Sequence, residues 1–198
     1  THQPGLSVRI HQDCPDRFLE EVTHLVSKGT GFPAIHNDGA GYQMLINAGY
    51  EPEDARDWNN CGCVVPHFRK TGEWTSAANI NFTAALEFAL NEGKSRLTGE
   101  QIGLDEKPGA EFASYEEVEE AFYRQFDYLI EQAVIATLLA QKLHKEMVPR
   151  PFLSSCIEEC MTQGRDLVDA GAKYNLGPVL TGIGLAVTSN SLAAIKQL

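Results

Sequence analysis

The stretch Asn60-Cys61-Gly62-Cys63-Val64-Val65-Pro66 breaks the pattern of the sequence on either side of it. From Trp58 to Gly72 no helical or strand period survives, and this span holds two cysteines, Gly62, Pro66, His67, Arg69 and Lys70. Such a segment reads as a loop set between regular elements. Outward from it the periodicity returns at once. Before the loop, Pro52–Asp57 is a short predicted helix, and Asn37-Asp38-Gly39 is a turn leading into a helix that holds Met44, Leu45 and Ile46. After it, Thr75 to Leu90 reads as an amphipathic helix with Ile80, Ala84, Leu86 and Ala89 inward, stopped near Gly93.

The outer segments continue this mixed order. Leu6 to His11 alternates as a short strand, Asp16 to Lys28 is a helix with Phe18, Val22 and Leu25 on one face, and Gly31–His36 is extended. Ser114 followed by Glu117 forms a capping box that opens a long helix to about Met147, where Pro149 and Pro151 end it. Pro151 starts another helix to about Gln163. Ala172 to Leu185 reads as extended, and Ser189 or Asn190 as the cap of a last helix. The fold class is α/β with long helices dominant.

Composition removes several function classes. The 198 residues carry a formal net charge of −11, the wrong sign for a nucleic-acid surface, which needs clustered Lys and Arg. The longest apolar run, Ala133 to Ala140, is far shorter than the roughly 20 residues of a membrane span. The expected partners therefore include neither nucleic acid nor membrane, and the expected location is cytoplasmic. Five cysteines, an odd number, argue for reduced thiols rather than a disulfide framework. Cys61, Cys63, Cys156 and Cys160 can be written as a four-thiolate metal site, but the spacing is not a usual zinc pattern, and no metal is expected.

The loop resembles the Gly-Cys-Val-x-Pro cysteine loop of the glycyl radical enzymes, the family of pyruvate formate-lyase. The flanks agree: Gly31-Phe32-Pro33-Ala34 with Asn37-Asp38 before it, Lys70-Thr71-Gly72-Glu73-Trp74 after it, and Tyr174-Asn175 with Gly177-Pro178 near the end are similar to that family's landmarks, in its order. The resemblance implies part of a ten-stranded barrel wrapped in helices, with the cysteine loop inside. On this reading residues 1–198 are an internal piece of the barrel domain, without the C-terminal glycyl radical domain. No cofactor is expected in the piece itself. The radical is a protein-based glycyl radical on a glycine outside this chain, installed by a radical-SAM activase, and the enzyme is expected to be a homodimer, with small accessory subunits in some members.

The resemblance makes Cys63 the catalytic residue, the one that forms a thiyl radical and abstracts hydrogen from a small-molecule substrate. Gly62 allows a tight turn and a close approach of substrate to the thiol. Val65, His67 and Arg69 complete the expected substrate-binding set: Arg69 as a carboxylate clamp, His67 as a proton donor or polar wall. For His67 and Arg69 the plainer alternative is a satisfied histidine and a salt-bridged surface charge. Cys61, Cys156 and Cys160 are expected to be packing residues.

Val65 departs from the family pattern. Dehydratases and many decarboxylases of the family carry a glutamate two residues after the radical cysteine, and valine cannot move a proton. Radical addition of a hydrocarbon to fumarate, as in alkylsuccinate and benzylsuccinate synthases, needs only hydrogen abstraction and return, and is the expected reaction. The alternatives are an arylacetate decarboxylase, a diol or glycerol-type dehydratase with another proton donor, a formate acetyltransferase-like lyase, or a noncatalytic structural or metal-binding module.

Overall fold

The structure is a computed structural model that describes residues 5–61, 65–68, 70–72, 75–175 and 177–197. The chain divides into two compact units, Thr1–Thr71 and Gly72–Leu198.

The first unit opens with a β-α-β arrangement. Strand β1 (Ser7–Ile10) and strand β2 (Ala34–Asn37) pair in parallel, Ser7 opposite Ala34 and Arg9 opposite His36, with helix α1 (Asp16–Ser27) between them in sequence. Of the predicted inward face of α1 only Val22 is buried, while Phe18 and Leu25 stay exposed among the described residues. Asn37 does not make a free turn. Its side chain accepts a hydrogen bond from Ala40 N at 2.9 Å and so caps helix α2 (Asp38–Asn47). Helix α3 (Pro52–Arg56) begins on a proline, whose fixed φ suits a first helical turn.

The expected loop from Trp58 to Gly72 is more ordered than its sequence suggests. Strand β3 (Trp58–Cys61) and strand β4 (Val65–Phe68) pair antiparallel, Asn59 opposite His67 and Cys61 opposite Val65, on either side of residues 62–64. A four-residue strand is too short to show a period, and Pro66, with no N–H to give, reads as a breaker although it sits at a pairing position here.

The second unit corrects the segment Thr75–Leu90, which is half strand and half helix. Strand β5 (Thr75–Asn81) pairs in parallel with strand β6 (Pro178–Ile183), and helix α4 (Phe82–Leu90) starts only after Asn81, whose side chain accepts from Thr83 N and Ala84 N. The tertiary pairing with β6 overrides the helical period, and the asparagine marks the switch. Helix α5 (Tyr115–Met147) begins as predicted, with Ser114 Oγ accepting from Glu117 N at 3.3 Å. Ala85, Leu86 and Ala89 of α4 and Val118, Ala121 and Phe122 of α5 form its core, joined by Phe82 stacked on Phe126.

The helix expected from Pro151 to Gln163 is broken in two, α6 (Pro151–Ser154) and α7 (Glu158–Gln163). Ser154 Oγ accepts from Leu167 N at 2.8 Å, and Ile157, in an extended conformation, packs on Cys160, Leu167 and Ala172. Helix α8 (Leu185–Ile195) starts before the expected caps, at Gly184 in the left-handed region. The described residues thus form three two-stranded sheets with helices, an α/β fold without a closed barrel among them. No described helix is long and apolar enough to cross a membrane.

Candidate functional site

Strands β3 and β4 flank residues 62–64 in sequence, and the base of this pair is tied down from three directions. The Arg9 guanidinium, on β1, meets the Asp38 carboxylate at the start of α2 and the backbone carbonyl of Trp58 at the start of β3, and donates to Arg56 O at 3.2 Å. Trp58 Nε1 donates to the same Asp38 oxygen at 3.0 Å, and the guanidinium lies 4.7 Å from the centre of the indole ring. Trp58 is buried, at 2% exposure, and its ring fills the space beside Gly41 so closely that a Cβ there would collide with it. One arginine therefore gathers β1, α2, α3 and β3 at the root of the hairpin.

Sequence reading placed Asp38 among the landmarks but gave no role to Arg9 or Trp58. Arg9, set between Val8 and Ile10 on a strand, together with the Asn37-Asp38 helix start, is the signal that could have pointed to this network.

Of the predicted site residues, Gly62, Cys63 and Arg69 lie outside the described residues, as does the thiyl assignment with them. Val65 is the first residue of β4, opposite Cys61. His67 is half-buried on the same strand, and its Nε2 lies 3.1 Å from the hydroxyl of Thr71, which is buried. Burial holds the His67 imidazole below its ordinary pKa, so at neutral pH it is an uncharged group able to accept a proton. The plainer alternative of a satisfied histidine holds for one of its nitrogens.

Lys70, the neighbour of Arg69, makes a 2.8 Å ion pair with the largely buried Asp54 in the middle of α3. Its charge is committed to structure. Asn60, one position before Cys61, was not singled out by sequence, yet both polar atoms of its carboxamide are buried with no hydrogen-bond partner among the described residues.

Of Cys14, Cys156 and Cys160, only the last is buried. Cys160 is buried against Leu167 and Ala172, and burial, with the nearby Asp166 and Glu159 carboxylates, pushes its thiol pKa up and keeps it unreactive. Cys156 is exposed and Cys14 half-buried, both as free thiols. Among the described residues no group of three or more His, Cys, Asp or Glu side chains could hold a metal ion.

Comparison with known proteins covers the whole chain. The pyruvate formate lyase-like family matches residues 1–198. The chain is 34% identical over 196 residues to the (2S)-3-sulfopropanediol dehydratase of Klebsiella oxytoca, covering 98% of this chain and 24% of that protein. It is 32% identical over 194 residues to the trans-4-hydroxy-L-proline dehydratase of Clostridioides difficile, again 98% and 24%. The glycerol-bound form of the B12-independent glycerol dehydratase from Clostridium butyricum superposes with a TM-score of 0.89 at 36% identity, over 98% of this chain and 25% of that one. The chain spans about a quarter of the length of the relatives it matches. With the cysteine loop, its flanking landmarks and this end-to-end match in agreement, the chain belongs to the pyruvate formate lyase-like family of glycyl radical enzymes.

Proposed function

We propose that this chain supplies the thiyl-forming cysteine, Cys63, of a glycyl radical lyase that eliminates a leaving group from a small hydroxylated substrate. The observation that carries the reading is the end-to-end similarity to dehydratases at more than 30% identity, spanning the Cys-Gly-Cys-Val stretch. It displaces the fumarate addition expected from Val65, since none of the relatives named above is a synthase. The ten-stranded barrel, the homodimer and the radical-SAM activase belong to the same proposal.

When the radical is installed on the parent protein, it supplies the oxidising power that makes a sulfur radical on Cys63. This sulfur takes a hydrogen atom from the substrate carbon next to the one that bears the departing hydroxyl. Loss of water then needs one proton moved to that hydroxyl from the hydroxyl or amine nitrogen on the radical carbon, and the product carbon radical takes its hydrogen back from the Cys63 thiol. Val65 cannot relay that proton. His67, two positions further along β4, uncharged and in contact with Thr71, is the residue on this hairpin suited to it. Arg69 is the companion proposal for a substrate that also bears an acidic group.

A second reading rests on Val65 alone: an apolar residue at this position suits radical addition of a hydrocarbon to fumarate, which moves no proton. One experiment separates the two. The activated full-length enzyme is assayed with glycerol, trans-4-hydroxy-L-proline and (2S)-3-sulfopropanediol for loss of water, and with toluene or hexane plus fumarate for a substituted succinate. Dehydration products support elimination, and a succinate adduct without them overturns it. In the same assay Cys63→Ala abolishes turnover while the glycyl radical signal persists in electron paramagnetic resonance, and Cys61→Ala retains activity. The opposite result moves the thiyl to Cys61.

A further inference from the structure

Three side chains of the first unit bury polar atoms that meet no hydrogen-bond partner among the described residues: Ser7 Oγ on β1, His36 Nε2 on β2, and both Oδ1 and Nδ2 of Asn60 on β3. Native proteins rarely leave such groups unmet, and each calls for a partner outside the described residues. Asn60 is the extreme case, because its carboxamide presents unmet donors and an unmet acceptor together.

Its position is specific. Asn60 stands three residues before Cys63 and two after Trp58, so strand alternation puts it on the face of β3 that Trp58 occupies. That face is turned toward the β1–β2 sheet, since Trp58 meets Arg9 and the edge of the His36 ring, 6.4 Å away between centroids. Asn60 therefore lies on the same face of β3 as Trp58, the face that meets Arg9 and His36.

We infer that the Asn60 carboxamide, on the strand that precedes residues 62–64 in sequence, is a specificity-determining contact that grips a substrate hydroxyl. The chemistry of the group selects its ligand. A hydroxyl both donates and accepts, and so can satisfy Oδ1 and Nδ2 together. A carboxylate answers only the donor and faces the amide oxygen with negative charge, and a hydrocarbon answers neither. The contact takes a free hydroxyl of a small substrate, whatever group that substrate carries elsewhere, a restriction that rests on the elimination reading and sharpens it.

The test uses the full-length protein. Before activation, thermal unfolding is followed with and without glycerol, trans-4-hydroxy-L-proline and (2S)-3-sulfopropanediol, in the wild type and in Asn60→Leu, which keeps the size of the side chain and removes its polar atoms. At least one of the three raises the wild-type midpoint. The free Asn60→Leu protein unfolds at the same temperature as the wild type or higher, because a buried unmet amide has been replaced by an apolar group, and the ligand-induced rise is lost. After activation, Asn60→Leu raises KM about tenfold or more, with a smaller effect on kcat and the glycyl radical signal unchanged. A free variant less stable than the wild type shows that the amide is bonded elsewhere in the full protein, and overturns the inference. So does a ligand-induced rise that survives the substitution. If none of the three compounds binds or reacts with the wild type, the elimination reading falls and this inference falls with it.

Discussion

His67 shows how a single residue reports its surroundings through pH. Its imidazole is held below the ordinary value of about 6.5 by burial, so the unfolded chain binds the proton more readily than the folded one. The sign follows: the stability linked to His67 is fully present above the unfolded value and is lost as pH falls toward the folded one. Thermal midpoints of the full-length protein measured from pH 7.5 down to 5 fall with acidification, and His67→Gln flattens part of that slope. An unchanged slope means that His67 is solvated like a free imidazole. If His67 also relays the substrate proton, the same substitution lowers kcat in the dehydration assay without touching the glycyl radical. The proposed role of Cys63, by contrast, rests on motif and not on charge, because radical chemistry needs no pKa shift.

Among the elements, the clearest case of a side chain replacing secondary structure is Gln125 on α5. It is fully buried, with Nε2 donating to Leu104 O at 2.8 Å and Oε1 accepting from Leu104 N at 2.9 Å. It pairs with an irregular segment as a strand neighbour would. Gln125→Leu strands both backbone groups, and we expect a loss of about 2–4 kcal/mol, measured by denaturant unfolding of the full-length protein. A loss under about 0.5 kcal/mol would show that water replaces the amide. Elements were readable from sequence where local signals act alone. Ser114 opened α5 and Pro52 opened α3, because caps and proline act within one turn. They were unreadable where a distant partner decides. Thr75–Asn81 is a strand because β6 lies beside it, and Ile157 interrupts a helix to reach Cys160 and Leu167. The hairpin β3–β4 and the unmet amide of Asn60 were hidden for the same reason. Neither short strands nor missing partners leave a period in the sequence.

At the scale of the molecule, the last turns of α5 carry an apolar stripe at helical spacing: Ile135, Leu138, Leu139, Leu143 and Met147, the last 72% exposed. A contiguous apolar face of this kind is an association surface. The 198-residue chain prepared alone is expected to self-associate in sedimentation velocity, and Leu139→Lys with Leu143→Lys to shift it toward the monomer. A monomeric wild-type chain would show that the stripe is covered from within.

The parallel pairing of β5 with β6 has a consequence for how such a chain is made. Asn81 leaves β5 and the partner strand begins only at Pro178, so every residue of α4 through α7 must be synthesised before the second unit can close its sheet. Closing a long loop adds little to the equilibrium cost, since each doubling of length costs only about 0.6 kcal/mol, but distant contacts slow the search. Contact between α4 and α5, which are neighbours in sequence, can form first and hold β5 in waiting. During translation the exposed edge of β5 is thus a nascent-chain hazard, guarded only by the helices that emerge after it.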